Sequence, residues 1–116
     1  PTRKALEELI ADLENGRYGF AFASGLAAIS TVLSLFETGD RIIVSDDVYG
    51  GTFRLLDKVF NRFGIRYTQV NTSDTGEIEK AIDKDVKAIY VETPTNPLLG
   101  ITDLKAVAGL AGKFCP

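Results

Sequence analysis

The sequence predicts an α/β protein with a mostly parallel sheet, because strand-like and helix-like stretches alternate along its 116 residues. Short runs of β-branched or aromatic residues predict the strands, and apolar residues three and four positions apart predict the helices. Glycines near the ends of the helical stretches predict the breaks between elements. The expected order is helix, strand, helix, strand, helix, strand, helix, strand, helix, within a single domain.

The N-terminal part predicts a helix, a strand and a second helix. An amphipathic helix that ends near Gly16 is indicated by apolar residues at helical spacing, namely Leu6, Leu9, Ile10 and Leu13. Tyr18–Phe22 is short, aromatic and flanked by turn residues, so we expect a strand there. Ser24–Phe36 is apolar nearly all round, which predicts a buried helix.

The rest of the chain continues the alternation. Arg41–Ser45 is a β-branched run and predicts a buried strand. The next helix is expected to be capped by Thr52 and ended by Gly64, with an apolar face of Phe53, Leu56, Phe60 and Phe63. The remaining predicted elements are a strand over Ile65–Val70, a short helix along Ile78, Ala81 and Ile82, a strand over Val86–Val91, and a helix along Leu104, Val107, Ala108 and Ala111 that begins at Thr102 or Asp103.

The composition excludes several kinds of protein. The net charge is −3 and the basic residues are scattered, which argues against a nucleic-acid-binding face. With no histidine and a single cysteine, Cys115, the chain cannot form an internal disulfide and is not expected to bind zinc. The longest apolar run is too short and too mixed to span a membrane. A reducing compartment, the cytoplasm, fits this composition best.

Three loops follow predicted strands, and each carries an unusual set of residues. In parallel sheets, ligands bind beyond the carboxyl ends of the strands. The loops begin after Phe22, after Ser45 and after Val91. We expect them to cluster at one end of the sheet.

The first loop leads into a helix through Ser24, Gly25 and Leu26. A helix start offers free backbone N–H groups and the positive end of the helix dipole, and a glycine lets an anion come close. These features are typical of a phosphate site. They are also typical of a plain N-cap in which Ser24 satisfies the helix and nothing is bound, and the local pattern by itself favours that simpler interpretation.

The second and third loops each allow a functional and a structural interpretation. Tyr49, followed by two glycines, can lie flat over a planar ligand and can donate or accept a proton. It can equally cover an edge of the core. The two prolines of Glu92–Pro97 favour a rigid loop in which Glu92 and Asn96 hold a polar ligand. The simpler alternative is a strand end with a local turn at Asn96.

Taken in order, these loops resemble the cystathionine synthase and lyase group of pyridoxal-phosphate enzymes, in the family of cysteine and methionine metabolism. The resemblance covers nearly the whole chain, and its motifs are Pro1–Arg3 with Leu6 and Glu7, Leu13–Gly16, Ser24–Ile29, Gly39–Asp40, Val48–Thr52 and Glu92–Pro97. It implies the large cofactor-binding domain of the aspartate-aminotransferase-like fold, fold type I. Residues 1–116 would form an N-terminal portion of that domain, truncated at both ends.

The resemblance implies roles for the candidate residues around pyridoxal 5'-phosphate. Ser24, Gly25 and Leu26 would form the phosphate-binding turn, with the backbone N–H groups of Gly25 and Leu26 as donors. Tyr49 would stack on the pyridine ring and act as the catalytic residue that assists proton transfer at the leaving group.

Two further cofactor-binding residues are implied in the third loop. Asn96 would lie near the phenolic oxygen of the cofactor. Glu92 would support the site, and we expect it to pair with Arg54.

The resemblance implies an enzyme that acts at the β or γ carbon of a sulfur amino acid or of activated homoserine, as a homodimer or homotetramer. Synthase, lyase and sulfhydrylase activities all stay open. The resemblance places the aspartate for the pyridine nitrogen beyond Pro116. The Schiff-base lysine is expected further on, because no lysine of this chain stands in a Ser-x-Thr-Lys context. We therefore expect the 116-residue chain alone to be inactive.

Two other functions fit parts of the pattern. A non-catalytic α/β module could bind an anion or a protein partner through the same loops, and an unrelated flavodoxin-like domain would require the motif matches to be accidental. We also expect exposed apolar surface near Leu6, Leu9 and Leu13, because the resemblance places the first helix near a partner subunit.

Overall fold

The computed structural model describes residues 1–114, so Cys115 lies outside the described part. The chain divides into two compact units, unit 1 over Pro1–Val32 and unit 2 over Leu33–Pro116. The elements of the described residues are α1 (Thr2–Leu13), α2 (Gly25–Leu33), β1 (Arg41–Ser45), α3 (Gly50–Arg54), β2 (Arg66–Val70), α4 (Thr75–Ala81), β3 (Val86–Tyr90) and α5 (Leu104–Phe114). A π-helical turn over Leu55–Val59 and a 3₁₀ turn over Phe60–Phe63 continue α3.

In unit 1, α1 confirms the predicted amphipathic helix. Its chain direction changes just after the last turn, where Asn15 takes a left-handed conformation with φ of 54°. The N–H of Gly16 donates to the carbonyl of Ala11 at 2.7 Å, which closes the end of the helix. The expected apolar exposure is also confirmed, since Leu9 is 55% exposed and Leu13 is 67% exposed.

The predicted strand over Tyr18–Phe22 is wrong, because the structure shows an irregular segment there. A strand needs a neighbouring strand to satisfy its backbone groups, and no strand among the described residues pairs with this segment. Its backbone instead uses α1: the N–H of Ala21 donates to the carboxylate of Glu7 at 2.8 Å. The aromatic rings remain outside, with Tyr18 73% and Phe20 76% exposed.

The second predicted helix exists but is shorter and less covered than expected. It spans Gly25–Leu33 rather than Ser24–Phe36, and Leu33 is its only buried residue. Val32 is 51% exposed and Leu35, just beyond the helix, is 78% exposed. An apolar helix surface becomes buried only where other layers cover it, and the described residues do not cover most of α2.

In unit 2, three parallel strands form a sheet in the order β2-β1-β3, as the alternation predicted. The central strand β1 pairs Ile43 with Thr68 on one side and with Ile89 on the other. Its residues 42–45 are all buried, which agrees with the predicted buried strand. Because the strands are parallel, Ser45 at the end of β1 and Tyr90 at the end of β3 lie at the same edge.

The core of unit 2 fills the space between the sheet and helices α4 and α5. Ile43 and Ile78 are completely buried at its centre, and Val70, Val86 and Val107 complete the buried cluster. Asp74 caps α4 by accepting the N–H of Gly76 at 2.8 Å. Of the two residues predicted to begin the last helix, Asp103 provides the cap, because its carboxylate accepts the N–H of Ala106 at 3.0 Å.

The helical stretch from 50 to 63 corrects the predicted cap. Tyr49, not Thr52, is the N-cap residue, and the predicted turn glycines are the first residues of the helix. Thr52 lies in the first turn and is fully buried, and its hydroxyl donates to the carboxylate of Glu92 in the loop after β3. Phe63 was expected on the buried face but is 64% exposed, since the 3₁₀ turn rotates it away from the preceding helical face. Gly64 ends the stretch with φ of 78°, as predicted.

Candidate functional site

The loops after β1 and β3 meet at the carboxyl edge of the sheet, as expected from parallel strands. The N–H of Tyr49 in the first of these loops donates to Oε2 of Glu92 in the other at 2.9 Å. The predicted clustering is therefore confirmed for these two loops. The loop with Gly25 belongs to unit 1, and its proximity to the other two remains a prediction.

The turn at Ser24 combines the two alternative interpretations of the first loop. Oγ of Ser24 accepts the N–H of Ala27 at 3.1 Å, and its carbonyl accepts the N–H of Ala28 at 3.2 Å. Ser24 is therefore an N-cap. The N–H groups of Gly25 and Leu26 have no acceptor among the described residues, so the cap leaves two donors at the positive end of α2.

The space in front of Gly25 is open to a ligand. A Cβ placed on Gly25 would have no atom within 4 Å, and the neighbouring Leu26 is 37% exposed. Two N–H groups without a protein acceptor, next to this open space, suit a phosphate, which needs short hydrogen bonds from backbone donors.

The backbone of Tyr49 is held on both sides, while its ring is free. Its N–H donates to Glu92, and its carbonyl accepts the N–H of Phe53 at 3.1 Å. The side chain is 53% exposed. This combination fixes the origin of the side chain and leaves the face of the ring available to a planar ligand.

Glu92 has three protein partners at the two loops. Besides the N–H of Tyr49, its carboxylate accepts from the hydroxyls of Tyr90 at 3.0 Å and of Thr52 at 3.4 Å. The expected pair with Arg54 is wrong, because the ion pairs of the described residues do not include it. The neutral hydroxyls and the backbone N–H already surround this carboxylate.

The environment of Glu92 also affects Tyr90. Burial raises the pKa of the Tyr90 phenol, and the hydrogen bond to Glu92 raises it further, although a hydrogen bond with Thr52 acts in the opposite direction. Tyr90 therefore stays a protonated donor to the carboxylate at neutral pH.

The loop that carries Asn96 is held in shape by two threonines. Oγ1 of Thr95 accepts the N–H of Gly100 at 2.7 Å, and the backbone N–H of Thr95 donates to the carbonyl of Gly100 at 3.0 Å. Oγ1 of Thr93 accepts the N–H of Thr102 at 3.1 Å. Thr95 is only 4% exposed, whereas Asn96 beside it is exposed. The loop thus presents the Asn96 amide from a closed backbone.

Four residues that support these two loops were not predicted in that role from the sequence, namely Thr52, Tyr90, Thr93 and Thr95. Two features of the sequence pointed to them. The threonines alternate with prolines in the third loop, where a threonine hydroxyl can accept a backbone N–H that has no partner in a regular element. Tyr90 and Glu92 stand two apart at a strand end and so project to the same side.

Every lysine of the chain is exposed, and the set is Lys4, Lys58, Lys80, Lys84, Lys87, Lys105 and Lys113. Lys58, the lysine nearest to Tyr49 in sequence, forms an ion pair with Asp57. That pair raises the pKa of Lys58 through a hydrogen bond and its charge. A lysine that acts as a nucleophile needs the opposite shift, so this ion pair does not favour Lys58 as a nucleophile.

Residues 1–114 contain neither a membrane-spanning helix nor a metal-binding cluster. None of the described helices is long and apolar enough to cross a membrane. The same residues contain no group of three or more acidic, histidine or cysteine side chains that could hold a metal ion.

Several enzymes of known structure or function are similar to this chain. The crystal structure of cystathionine γ-lyase from Lactobacillus plantarum complexed with L-serine superposes with a TM-score of 0.95 and 61% identity over 98% of this chain and 30% of that one. Cystathionine γ-lyase of Bacillus subtilis is 58% identical over 97% of this chain and 30% of its own length. Cystathionine β-lyase of Lactococcus lactis is 59% identical over 96% of this chain and 29% of its own length.

The fold and the loops define a portion of a fold type I cofactor-binding domain. The profile of the family described as "Cys/Met metabolism PLP-dependent enzyme" matches residues 1–114, and the chain belongs to that family. It spans about 30% of the length of the curated relatives it matches. The resemblance noted from the motifs is therefore confirmed.

The residues present fit pyridoxal phosphate in their chemistry. The two N–H groups of Gly25 and Leu26 that have no protein acceptor suit its dianionic phosphate. The open space at Gly25 leaves room for that phosphate. The half-exposed ring of Tyr49 suits a stacked heteroaromatic ring. The exposed amide of Asn96 suits a phenolic oxygen.

Proposed function

We propose that the full-length protein, meaning the product of the complete gene that contains this chain, is a pyridoxal-phosphate enzyme that cleaves or exchanges a substituent at the β or γ carbon of a sulfur amino acid or of activated homoserine. Residues 1–114 would supply part of its cofactor-binding domain. The observation that carries the proposal is the bond between Tyr49 and Glu92, which joins two family loops at the carboxyl edge of the sheet.

Within this proposal, Ser24 shapes the phosphate site as the N-cap of α2, and its hydroxyl hydrogen stays available to donate to the phosphate. Its oxygen atoms are used by Ala27 and Ala28, so the cap fixes the start of α2. The N–H groups of Gly25 and Leu26 then donate to the phosphate, assisted by the helix dipole.

Tyr49 and Asn96 would orient the cofactor ring. Tyr49 stacks on it, and its hydroxyl holds or moves a proton at the leaving group of the substrate. Asn96 donates its amide N–H to the phenolic oxygen. Bound pyridoxal phosphate supplies an electron sink for the amino acid, and the protein sets its orientation and its surroundings.

The proposal includes a cytoplasmic homodimer or homotetramer. It is supported by the apolar face of α1, where Leu6 is 50% exposed and Leu9 and Leu13 are more so. Such a face is normally covered in an assembly. Sedimentation of the full-length protein should give a dimer or tetramer, and the variant Leu9→Glu should lower its association.

The products of L-cystathionine test the proposed reaction. The sulfur of this thioether joins a β carbon on one side and a γ carbon on the other. Cleavage at the β carbon releases homocysteine, cleavage at the γ carbon releases cysteine, and a synthase instead makes the thioether from cysteine and activated homoserine. The purified full-length protein with pyridoxal phosphate should carry out at least one of these reactions. Absence of all three, in a protein that binds the cofactor, would contradict the proposal and favour a non-catalytic module.

The phosphate site has a separate test at Gly25. Proline is compatible with the first position of a helix but has no N–H, so Gly25→Pro removes one donor and keeps α2. We expect it to weaken pyridoxal phosphate binding about tenfold, the effect of one lost charge-assisted hydrogen bond. Equilibrium dialysis of the full-length protein measures this, and binding of pyridoxal, which lacks the phosphate, should not change.

A matched glycine provides the control. Gly109 in α5, like Gly25, has no atom within 4 Å of an added Cβ. Gly109→Ala should therefore bind the cofactor like the wild type, while Gly25→Ala places a methyl group in the proposed phosphate space. Equal affinities of Gly25→Pro, Gly25→Ala and the wild type would argue against this turn as the phosphate site.

A further inference from the structure

Glu92 lies between the two loops that carry Tyr49 and Asn96, and both of its carboxylate oxygens are used by the protein. Oε2 accepts the backbone N–H of Tyr49 at 2.9 Å, and Oε1 accepts the hydroxyl of Tyr90 at 3.0 Å. Thr52 is fully buried in the first turn of α3, and its hydroxyl lies 3.4 Å from Oε1. These contacts face other parts of the protein, not an open ligand space.

We propose that Glu92 is a positioning residue, which holds the backbone of Tyr49 so that the aromatic ring keeps one orientation toward the cofactor. This inference rests on the proposed function only in placing Tyr49 at the cofactor ring. It assigns to Glu92 an action on the cofactor through Tyr49 and not through direct contact.

The geometry explains why a hydrogen-bond acceptor is needed at this position. The Tyr49 N–H belongs to the N-cap residue of α3 and has no other acceptor among the described residues. Oε1 is in turn fixed by two hydroxyls, which limit rotation of the carboxylate and therefore movement of the Tyr49 backbone.

The ring of Tyr49 has little else to restrain it. It is 53% exposed, and its hydroxyl forms no hydrogen bond among the residues that the structure describes. Its orientation consequently depends on the backbone from which it projects. Loss of the Glu92 bond should let the Tyr49–Gly50 turn move and let the ring sample several orientations.

The chain offers a matched carboxylate for comparison. Oε2 of Glu77 accepts the backbone N–H of Asn71 at 3.0 Å, just after β2. This is the same kind of bond, from a carboxylate to a loop N–H at the carboxyl end of a strand. Glu77→Leu therefore removes a similar bond away from Tyr49, which separates a local positioning effect from a general loss of loop order.

The experiment uses four variants of the full-length protein, namely Glu92→Leu, Glu92→Gln, Glu77→Leu and Tyr49→Leu. Amide hydrogen exchange of the peptide that contains Tyr49 is measured without cofactor. The induced circular dichroism of bound pyridoxal phosphate, which reports how the ring is held, is then measured together with cofactor affinity. Neither readout depends on turnover.

Glu92→Leu should accelerate exchange of the Tyr49 amide and weaken cofactor binding, each by about tenfold, and should reduce the dichroic band. Glu92→Gln should stay close to the wild type, because its carbonyl oxygen can accept the Tyr49 N–H and its amino group can donate to Tyr90. Glu77→Leu should change exchange only near Asn71.

Two results would overturn the inference. In one, Glu92→Leu leaves exchange at Tyr49 and the dichroic band unchanged. In the other, Glu92→Gln loses as much as Glu92→Leu, which means that the negative charge acts and the hold on the backbone does not. If Glu92→Leu does not fold, Tyr90→Phe serves instead, since it removes one of the two hydroxyls at Oε1 and should accelerate exchange at Tyr49 by a smaller factor.

Tyr49→Leu distinguishes failure of the inference from failure of the proposed function. A reduced dichroic band in this variant supports Tyr49 at the cofactor ring. An unchanged band and affinity reject that placement and therefore the functional part of the inference, whereas faster exchange in Glu92→Leu would still support the backbone hold.

Discussion

In unit 2 the central strand β1 is buried on both sides, since Ile42 is 1% exposed and Ile43 is 0% exposed. In unit 1, by contrast, Ala11 is the only buried residue of helix α1. The apolar side chains of α1 and the aromatic rings after it are exposed, as Leu13 at 67% and Phe20 at 76% show. Unit 2 therefore contains a core of its own, and unit 1 does not.

The same difference separates the candidate site residues. Tyr49 projects from a loop whose backbone is held by the carboxylate of Glu92, just after β3, and Asn96 projects from a loop closed by the bond between Thr95 and Gly100. The phosphate turn of unit 1 is fixed by a single local cap, Ser24, which holds two backbone groups of its own helix. In the proposed site, orientation of the ring by Tyr49 would therefore depend on a long-range contact, and phosphate binding on local helix geometry.

The largest expected effect concerns the core of unit 2. Ile43→Ala removes a fully buried side chain from the central strand and should lower the free energy of unfolding of unit 2 by about 3 kcal/mol. Leu9→Ala in unit 1 removes a side chain that is 55% exposed and should change the free energy of unfolding of unit 1 by less than about 0.5 kcal/mol. Urea-dependent hydrogen exchange measures both variants, at the β1 amides for Ile43→Ala and at the Ala11 amide of α1 for Leu9→Ala. A loss of protection at Ala11 as large as that at β1 would contradict the contrast in burial between the two units.

A second prediction tests how the irregular segment of unit 1 is held. An added Cβ on Gly19 would collide with the backbone carbonyl oxygen of Glu7 in α1. Gly19→Ala should therefore push the segment off the helix, break the bond from Ala21 to Glu7, and cost about 2 kcal/mol locally. Faster exchange of the Ala21 amide is the measurement. Gly112→Ala, in an open part of α5, is the control that should leave the amides unchanged.

Features of the fold that depend on local contacts were predictable from the sequence, and features that depend on contacts between distant residues were not. Periodicity located the helices and the three sheet strands, because those patterns record which side faces a core. Tyr18–Phe22 has strand-like residues, but a strand also needs a neighbouring strand to pair with. The composition of this segment cannot show that the described residues offer it no such strand. Thr52 was misassigned as a cap because its real partner, Glu92, is 40 positions away.

The candidate site shows the same limit. The motifs predicted roles for Gly25, Tyr49 and Asn96 from residue type and position in a loop, and those roles stay predictions. The supports of the second and third loops were missed or misjudged, since the Glu92 partners come from β3 and from the first turn of α3. Arg54 was expected to pair with Glu92 on charge alone, yet neutral hydroxyls occupy that carboxylate.

A third and smaller effect is expected at the loop that carries Asn96. Thr95→Val keeps the shape of a residue that is 4% exposed but leaves the N–H of Gly100 without its side-chain acceptor. It should destabilise the loop by about 1.5 kcal/mol. Thr68→Val, in the strand β2, removes a hydroxyl that forms no side-chain hydrogen bond among the described residues and should be within about 0.5 kcal/mol of the wild type. Thermal unfolding of both variants compares them directly.

The smallest effect is a pH dependence at the far end of the sheet. Nη2 of Arg66 lies 3.1 Å from the carboxylate of Asp85, and this hydrogen bond, with the charge of Arg66, lowers the pKa of Asp85 although desolvation opposes it. A carboxylate with a lowered pKa in the folded state contributes stability above its unfolded pKa and loses it as the pH falls through the folded one. Asp85→Asn should therefore be less stable than the wild type at neutral pH, and the gap in unfolding midpoint should close as the pH is lowered into the acid range. Because the pair is exposed, salt should also narrow the gap. Asp12→Asn, at a carboxylate of α1 that forms no ion pair within residues 1–114, should give a smaller gap at neutral pH. A gap for Asp85→Asn that widens toward low pH would contradict the assignment of this ion pair.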